Sequence, residues 1–258
     1  MLGVGIFASM LLAGWAISEI IDDGDDSSND DDVEVTSEEE TITEGSEEDD
    51  LLYGTDGADL LVGGEGEDHM RGLDDDDMLF GSEGDDFVRG GDGDDALFGN
   101  EGADTLQGAS GNDMIDSTSL LDYQAFLDSI ETATQPDDIV VDYRLEEDTD
   151  AGDVVDGGNG DDVLLFGSDD TVEGGSGSDT FSTGFWVAPD APATVLDFDK
   201  DEDLLTYSYI GATPPEITTS SDVNGTVEVL ANGQTVMYLV DVDGAVDASD
   251  IVLVREDA

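Results

Sequence analysis

An aspartate recurs at every ninth residue through the first half of the chain: Asp50, Asp59, Asp68, Asp77, Asp86, Asp95, Asp104 and Asp113. Cut in nines from Gly45, the sequence reads GSEEDDLLY, GTDGADLLV, GGEGEDHMR, GLDDDDMLF, GSEGDDFVR, GGDGDDALF, GNEGADTLQ and GASGNDMID without a gap. Glycine stands first and aspartate sixth in every unit, and the eighth residue is always apolar, from Leu52 to Ile115. Carboxylates set on glycine-rich turns offer hard oxygen ligands at adaptable distances. That chemistry suits Ca²⁺, which takes about 6–8 oxygens at about 2.3–2.6 Å, better than Mg²⁺, which demands a tight octahedron. Soft metals find little to bind, because the chain has no cysteine and a single histidine, His69. The same scarcity removes disulfides, cysteine nucleophiles and most zinc and Ser-His-Asp chemistry.

Each unit divides into a six-residue turn and a three-residue strand. Glycine at positions 1 and 4 is expected to let the backbone take positive φ and curl. In the strand, position 8 faces opposite to positions 7 and 9. Position 8 therefore points into an interior, and positions 7 and 9, which include His69, Arg71, Arg89, Thr105 and Gln107, point at least partly to solvent. His69 reads as an ordinary surface residue. Two units make one coil, so each unit stacks on the next but one. The aspartates then form two columns, Asp50, Asp68, Asp86 and Asp104 in one and Asp59, Asp77, Asp95 and Asp113 in the other. Like charges one strand spacing apart, about 4.8 Å, repel unless cations lie between them. Three gaps in each column make room for about six ions in this block. A period this strict marks a solenoid of stacked units.

The wider composition agrees with a cation requirement. The 258 residues hold 69 Asp and Glu against 5 Lys and Arg, a net charge of −64. Such a chain repels itself when compact and has no affinity for nucleic acid or anionic membrane surfaces. With 38% hydrophobic residues it is too apolar to be wholly disordered.

Outside the repeats the chain changes character several times. Residues 1–21 begin with an uncharged apolar run, MLGVGIFASMLLAGWAIS, which reads as an N-terminal membrane anchor, a signal segment or a buried helix. Residues 22–44 read as an acidic disordered linker. After the first block (45–116), residues 117–147 form an insert. Leu120, Tyr123, Leu127 and Ile130 are spaced as on a helix, and IVVDY at 139–143 reads as a strand. A second, less regular block (148–183) carries Asp153 in DTDAGDVVD, Asp162 in GGNGDDVLL and Asp179 in GGSGSDTFS, with GSDDTVE (167–173) as a shortened unit. Residues 184–258 are β-rich, with Asn232-Gly233 between two strand-like runs as a hairpin signal. Asp197, Asp199, Asp201 and Asp203 alternate along an acidic loop that could take one further ion.

These units resemble the GGxGxDxUx nonapeptide of the RTX (repeats-in-toxin), or haemolysin-type, calcium-binding family. The resemblance covers residues 45–116 and 148–182, and TVLDFDKDED (194–203) is similar to the segment that follows the repeats in exported members. It implies an all-β fold, a parallel β-roll (a right-handed β-helix of nonapeptides) with a short helical insert and a small β-rich C-terminal module. It also implies several bound Ca²⁺ ions, held by backbone carbonyls and by Asp50, Asp59, Asp68, Asp77, Asp86, Asp95, Asp104, Asp113, Asp162 and Asp179. Asp153 stands in a unit that lacks both turn glycines, and Asp50 and Asp77 stand in imperfect turns.

The function expected from these features is calcium binding by an extracellular or cell-surface protein, with the N-terminal run as a membrane anchor. A roll serving as the stalk of an adhesion or matrix protein is the alternative, with an accessory fragment of a secreted protease or lipase behind it. Protein or glycan partners are not specified. The sequence has no HExxH or GxSxG, so catalysis is not expected.

Overall fold

The computed structural model describes residues 20–21, 32–34, 42–121, 152–222, 225–242 and 244–256. Every regular element among them is a strand, and the strands fall into two sheets. One sheet runs β1 (Ile20–Ile21), β3 (Ile42–Glu44), β5 (Leu60–Glu65), β7 (Met78–Glu83), β9 (Ala96–Glu101), β11 (Met114–Asp116), β13 (Val163–Leu165), β15 (Thr180–Gly184), β17 (Leu204–Ile210) and β21 (Ile251–Glu256). We call it the odd-unit sheet, after the odd numbers of its strands and not the count of units from Gly45. The facing sheet runs β2 (Asp32–Glu34), β4 (Leu51–Tyr53), β6 (His69–Asp74), β8 (Phe87–Asp92), β10 (Thr105–Ser110), β12 (Val154–Asn159), β14 (Thr171–Ser176) and β16 (Ala193–Val195). Beyond β16 lie β20 (Gln234–Leu239), β19 (Val227–Ala231) and β18 (Ile217–Ser221). We call this the even-unit sheet.

All pairs from β1 to β17 are parallel, and the register equates residues two units apart: Leu61 with Leu79 and Leu97, Met70 with Val88 and Leu106. This is the β-roll expected from the period. The insert does not interrupt it. β10 pairs directly with β12 and β11 with β13, so the two blocks form one continuous stack. The helix and strand expected in the insert lie mostly or wholly outside the described residues, as does the apolar run at 1–18. Upstream, the ladder reaches into the segment read as a disordered linker: Asp32–Glu34 pairs with β4 and Ile42–Glu44 with β5. Each copies the hydrogen-bonding edge of the strand below it, which the charge run around them concealed.

The C-terminal strands continue both sheets. β17 and β21 extend the odd-unit sheet in parallel, and β20 extends the even-unit sheet beside β16. The expected hairpin is present, with β19 and β20 antiparallel around Asn232 (φ 53°) and Gly233 (φ 81°). Positive φ at both residues is the type I′ geometry that Asn-Gly favours.

The core is a file of single side chains between the sheets. Leu52, Leu61, Met70, Leu79, Val88, Leu97, Leu106 and Ile115, the position-8 residues, have no exposed surface, and Val155, Leu164, Val172 and Phe181 extend the file. A file one residue wide has no second layer to relax into. Leu97→Ala is expected to cost about 2–5 kcal/mol, read as a lower urea midpoint in saturating calcium; a change under about 0.5 kcal/mol would contradict this packing.

Positions 7 and 9 behave differently on the two sheets. On the even-unit sheet His69, Arg71 and Arg89 are exposed, as expected. On the odd-unit sheet Leu60, Val62, Met78, Phe80, Ala96, Phe98 and Met114 are buried, and Phe80 stacks on Phe98 with centroids 4.6 Å apart. The expectation of solvent at positions 7 and 9 therefore holds for one sheet only. The signal was an 18-residue period within these positions: LLV, MLF, ALF and MID alternate with LLY, HMR, FVR and TLQ.

Candidate metal centre

Each coil carries one turn at either edge of the roll, and the position-6 aspartate closes it. The two expected columns are present, and each extends beyond its four aspartates of the first block. On one edge the backbone N–H of Asp50 donates to Oδ1 of Asp68 (2.8 Å), Asp68 to Asp86, Asp86 to Asp104, and Asp104 to Asp153 (2.7 Å). Asp153 donates in turn to Asp170 (3.1 Å). On the other edge the chain of bonds runs from Asp59 through Asp77, Asp95, Asp113, Asp162 and Asp179 to Asp203. One carboxylate oxygen of each rung beyond Asp50 and Asp59 is thus spent on the amide of its neighbour.

Asp153 takes its place in the column although its unit lacks the turn glycines. Asp170, absent from the sequence expectation, and Asp203, expected only as part of an acidic loop, belong to the columns as well. Their signal was the phase of the strand that follows. Each stands two residues before a buried apolar residue, Val172 and Leu205, as Asp95 stands before Leu97. Counting from the glycines hid this, because the shortened unit drops a residue from the turn.

The second oxygen separates the interior of the columns from their ends. Oδ2 of Asp68, Asp77, Asp86, Asp95, Asp104, Asp113 and Asp162 is buried with no hydrogen-bond partner. At the ends the same oxygen is satisfied by the protein. Asp50 Oδ2 accepts from the Ser46 amide and hydroxyl (2.6 and 3.0 Å), and Asp59 Oδ2 from the Thr55 amide and hydroxyl. Asp170 Oδ2 accepts from Gly167 N (2.7 Å) and Ser117 Oγ (2.9 Å), and Asp203 Oδ2 from Asp199 N (2.8 Å). Asp197 turns its carboxylate onto the amides of Gly174 and Gly175 (2.9 and 2.7 Å).

The unpartnered oxygens lie over the position-1 glycines of their own turns. A Cβ on Gly63 would run into Asp68 Oδ2 and meet the Gly81 carbonyl at 2.6 Å, and one on Gly157 would meet Asp162 Oδ2 and the Gly174 carbonyl, each at 2.5 Å. A carboxylate oxygen therefore lies above each such glycine, and at Gly63, Gly81, Gly108 and Gly157 a main-chain carbonyl from the next coil converges with it. The position-1 glycine is needed for this close approach and not for its dihedral. Positive φ falls at positions 2 and 4 instead, a correction to the expected 1 and 4. At position 2 it is imposed on Leu73, Ser82, Asn100 and Ala109 (72–99°), each at a cost of about 1–2 kcal/mol.

Charge at these sites is poorly compensated by the protein alone. Burial pushes the carboxyl of Asp77 up to about 9, against the pull of the Asp59 amide and with the help of Asp95 and Asp59. Burial likewise lifts Asp86 and Asp113 to about 8 and Asp95 and Asp162 to about 7. Asp68, Asp104 and Asp179 rise to about 6 for the same first cause. A buried carboxylate with one bare oxygen is stable at neutral pH only with a proton or a cation beside it.

Residues 44–79, 80–115, 148–169 and 167–185 match four copies of the RTX calcium-binding nonapeptide repeat. The chain carries RTX calcium-binding repeats. The donor set fits the ion these repeats bind. Every candidate ligand is oxygen, and the bare Oδ2 atoms of Asp68, Asp86, Asp113 and Asp162 already share their space with carbonyls of the next coil. Among the described residues no three Asp, Glu, His or Cys side chains converge on one point, so main-chain oxygens would have to complete the shell of each RTX site. No curated protein matches the sequence. Among solved structures, the extracellular lipase LipA from Serratia marcescens is similar at 16% identity, over 84% of this chain and 40% of the lipase, with a TM-score of 0.23. The match thus spans well under half of that enzyme's length.

Proposed function

We propose that this is an extracellular or surface-exposed calcium-binding protein whose RTX roll folds as its turns take up Ca²⁺, and that it is not an enzyme. The single observation that carries this reading is the row of seven buried, unpartnered Oδ2 atoms, each above a position-1 glycine. Bound calcium supplies the positive charge that buried carboxylates need in order to stay ionised. The chain's own residues do the rest. Oδ1 of each aspartate holds the amide of the preceding coil, which fixes the carboxylate plane. Glycine at position 1 leaves room above the turn, and the position-8 side chains lock the spacing of the rungs. Sites of the extracellular type bind with dissociation constants of about 10⁻⁴–10⁻³ M. Binding energy then becomes folding energy outside the cell, while the cytosol leaves the repeats open.

The role of individual aspartates is tested by counting ions. In equilibrium dialysis at saturating calcium, Asp95→Asn is expected to lower the number of bound ions by about one or two relative to the parent chain. Asp50→Asn, where Ser46 already satisfies the second oxygen, is expected to leave the number unchanged. Equal losses from both variants would sink the distinction between interior and end rungs. Surface labelling of intact cells tests the location, and a signal confined to the cytosol would overturn it.

A further inference from the structure

The outer face of the odd-unit sheet is apolar and buried from β5 to β11. Val62, Met78, Phe80 and Phe98 point away from the core file, yet none is more than 8% exposed. Residue type does not decide this, as position 2 of the turns shows. Ser82 and Leu73 share that position and its positive φ (90° and 99°). Ser82, on the odd-unit sheet, is 1% exposed, whereas Leu73, on the even-unit sheet, is 39% exposed. A serine buried where a leucine is exposed marks a face with material over it. Every described strand belongs to one of the two sheets, so none of them forms that layer. At the C-terminal side of the face, Leu120, Trp186 and Val187 gather with Phe185 and with Leu165 of β13, but this cluster does not take in Phe80 or Phe98. Burial within a single chain requires cover from the chain itself.

Two apolar stretches lie outside the strands, residues 1–18 and the insert. The first has no charged side chain and so offers no face for water. The insert does. Leu120, Tyr123, Leu127 and Ile130 fall on one stripe of a helix, and Asp122, Asp128 and Ser129 fall off it. Such a helix lays its stripe on a sheet and keeps its polar side in water. Position and length agree with this. β11 ends at Asp116, and Leu120 and Leu121, just beyond it, are 4% and 2% exposed. Leu120 already packs in the cluster around Leu165, on the outer side of β13. From β13 to β5 is four strand spacings, about 19 Å, and a helix over residues 119–130 is about 18 Å long.

We propose that the insert docks as an amphipathic helix across β11, β9, β7 and β5, with its stripe from Leu120 to Ile130 against Phe80 and Phe98. The docking surface exists only when the coils are stacked, so the insert is ordered by calcium although it carries no repeat. The proposal rests on the calcium-folded roll and adds a layer to it. The test is hydrogen exchange of the full chain, read by mass spectrometry over residues 122–130, with circular dichroism on the same samples. In calcium these amides exchange about tenfold or more slowly than in EDTA, since a helix this short is marginal without a surface to dock on. Phe80→Ser with Phe98→Ser removes the protection and leaves the circular dichroism in calcium unchanged, because both rings point away from the core file. Leu127→Asp, which alters no strand of the roll, has the same effect, and Leu127→Met keeps the protection. A parent chain with no β signal in calcium overturns the roll and the proposal with it. A β-rich parent whose 122–130 amides exchange freely overturns the docking alone. So does protection that the variants retain. Loss of protection at residues 1–18 instead, in the Phe80 and Phe98 variant, would give the face to the N-terminal run, and protection that falls on dilution would give it to a second copy; either overturns the proposal.

Discussion

Removing calcium at neutral pH and low salt is expected to abolish the roll. With EDTA present, the seven interior carboxylates with bare oxygens must either carry unpaired buried charge or bind protons. Unpaired burial of a charge costs several kcal/mol for each group, against a total folding stability of about 5–15 kcal/mol. Even partial charging of the two columns exceeds what the core file supplies. The sign of the pH effect follows from the raised carboxyls. A group whose pKa is higher in the folded than in the unfolded chain binds its proton more tightly when folded. Its contribution is present in full below about pH 4, the unfolded value, and is lost as pH rises through the folded values of about 6 to 9 set by Asp68 and Asp77. The calcium-free chain is therefore expected to gain β structure on acidification, whereas in calcium the roll stays folded through neutral pH. Circular dichroism at pH 4.5 and 7.5, each with EDTA, checks this. More structure at the higher pH would contradict protonation of the columns.

Gly90→Val is the single substitution with the largest expected effect. A Cβ there would run into Asp95 Oδ2 and lie 2.7 Å from its carboxyl carbon, so the carboxylate must swing away and the rung above loses its seat. The loss combines steric strain, the broken bond from the Asp77 amide to Asp95 (2.9 Å) and one edge of a cation site. More than about 4 kcal/mol is expected, seen as a calcium midpoint raised at least about tenfold or as failure to fold at millimolar calcium. Gly152→Ala is the control. Unlike Gly90 it has positive φ (102°), and nothing lies within 4 Å of the added carbon. Only the backbone strain remains, at about 1 kcal/mol. Similar effects from the two substitutions would show that close approach above position 1 is not what selects glycine.

Much of this arrangement is legible in the sequence because stacking forces each unit to repeat the same solution. Asp at position 6 and an apolar residue at position 8 hold their phase wherever a strand must pair with the coil below, which makes the two columns and the core file readable. What escaped reading depends on neighbours across coils. The period cannot show that Phe80 and Phe98 are buried while Arg71 and Arg89 face water; only the alternation of whole units does. Nor does it distinguish Asp95, whose second oxygen is bare, from Asp59, because the difference lies in the backbone at position 2: Thr55 turns its amide and hydroxyl onto the carboxylate, whereas Ser82, at φ 90°, leaves Asp86 bare. Asp170 and Asp203 were hidden for the opposite reason. Their turns lost the glycine spacing while the strands kept their phase. Loss of the turn signature at Asp153 likewise does not displace it, since the ladder bond from Asp104 and the burial of Val155 hold the coil in register.

Calcium-driven stacking is tested most directly by following the far-ultraviolet circular dichroism of the full chain through a calcium titration from EDTA to 10 mM, with magnesium as the control. A cooperative gain of β signal is expected, with a midpoint of about 10⁻⁴–10⁻³ M and no comparable change in magnesium. A spectrum already β-rich in EDTA at neutral pH, or one that magnesium changes equally, would contradict it.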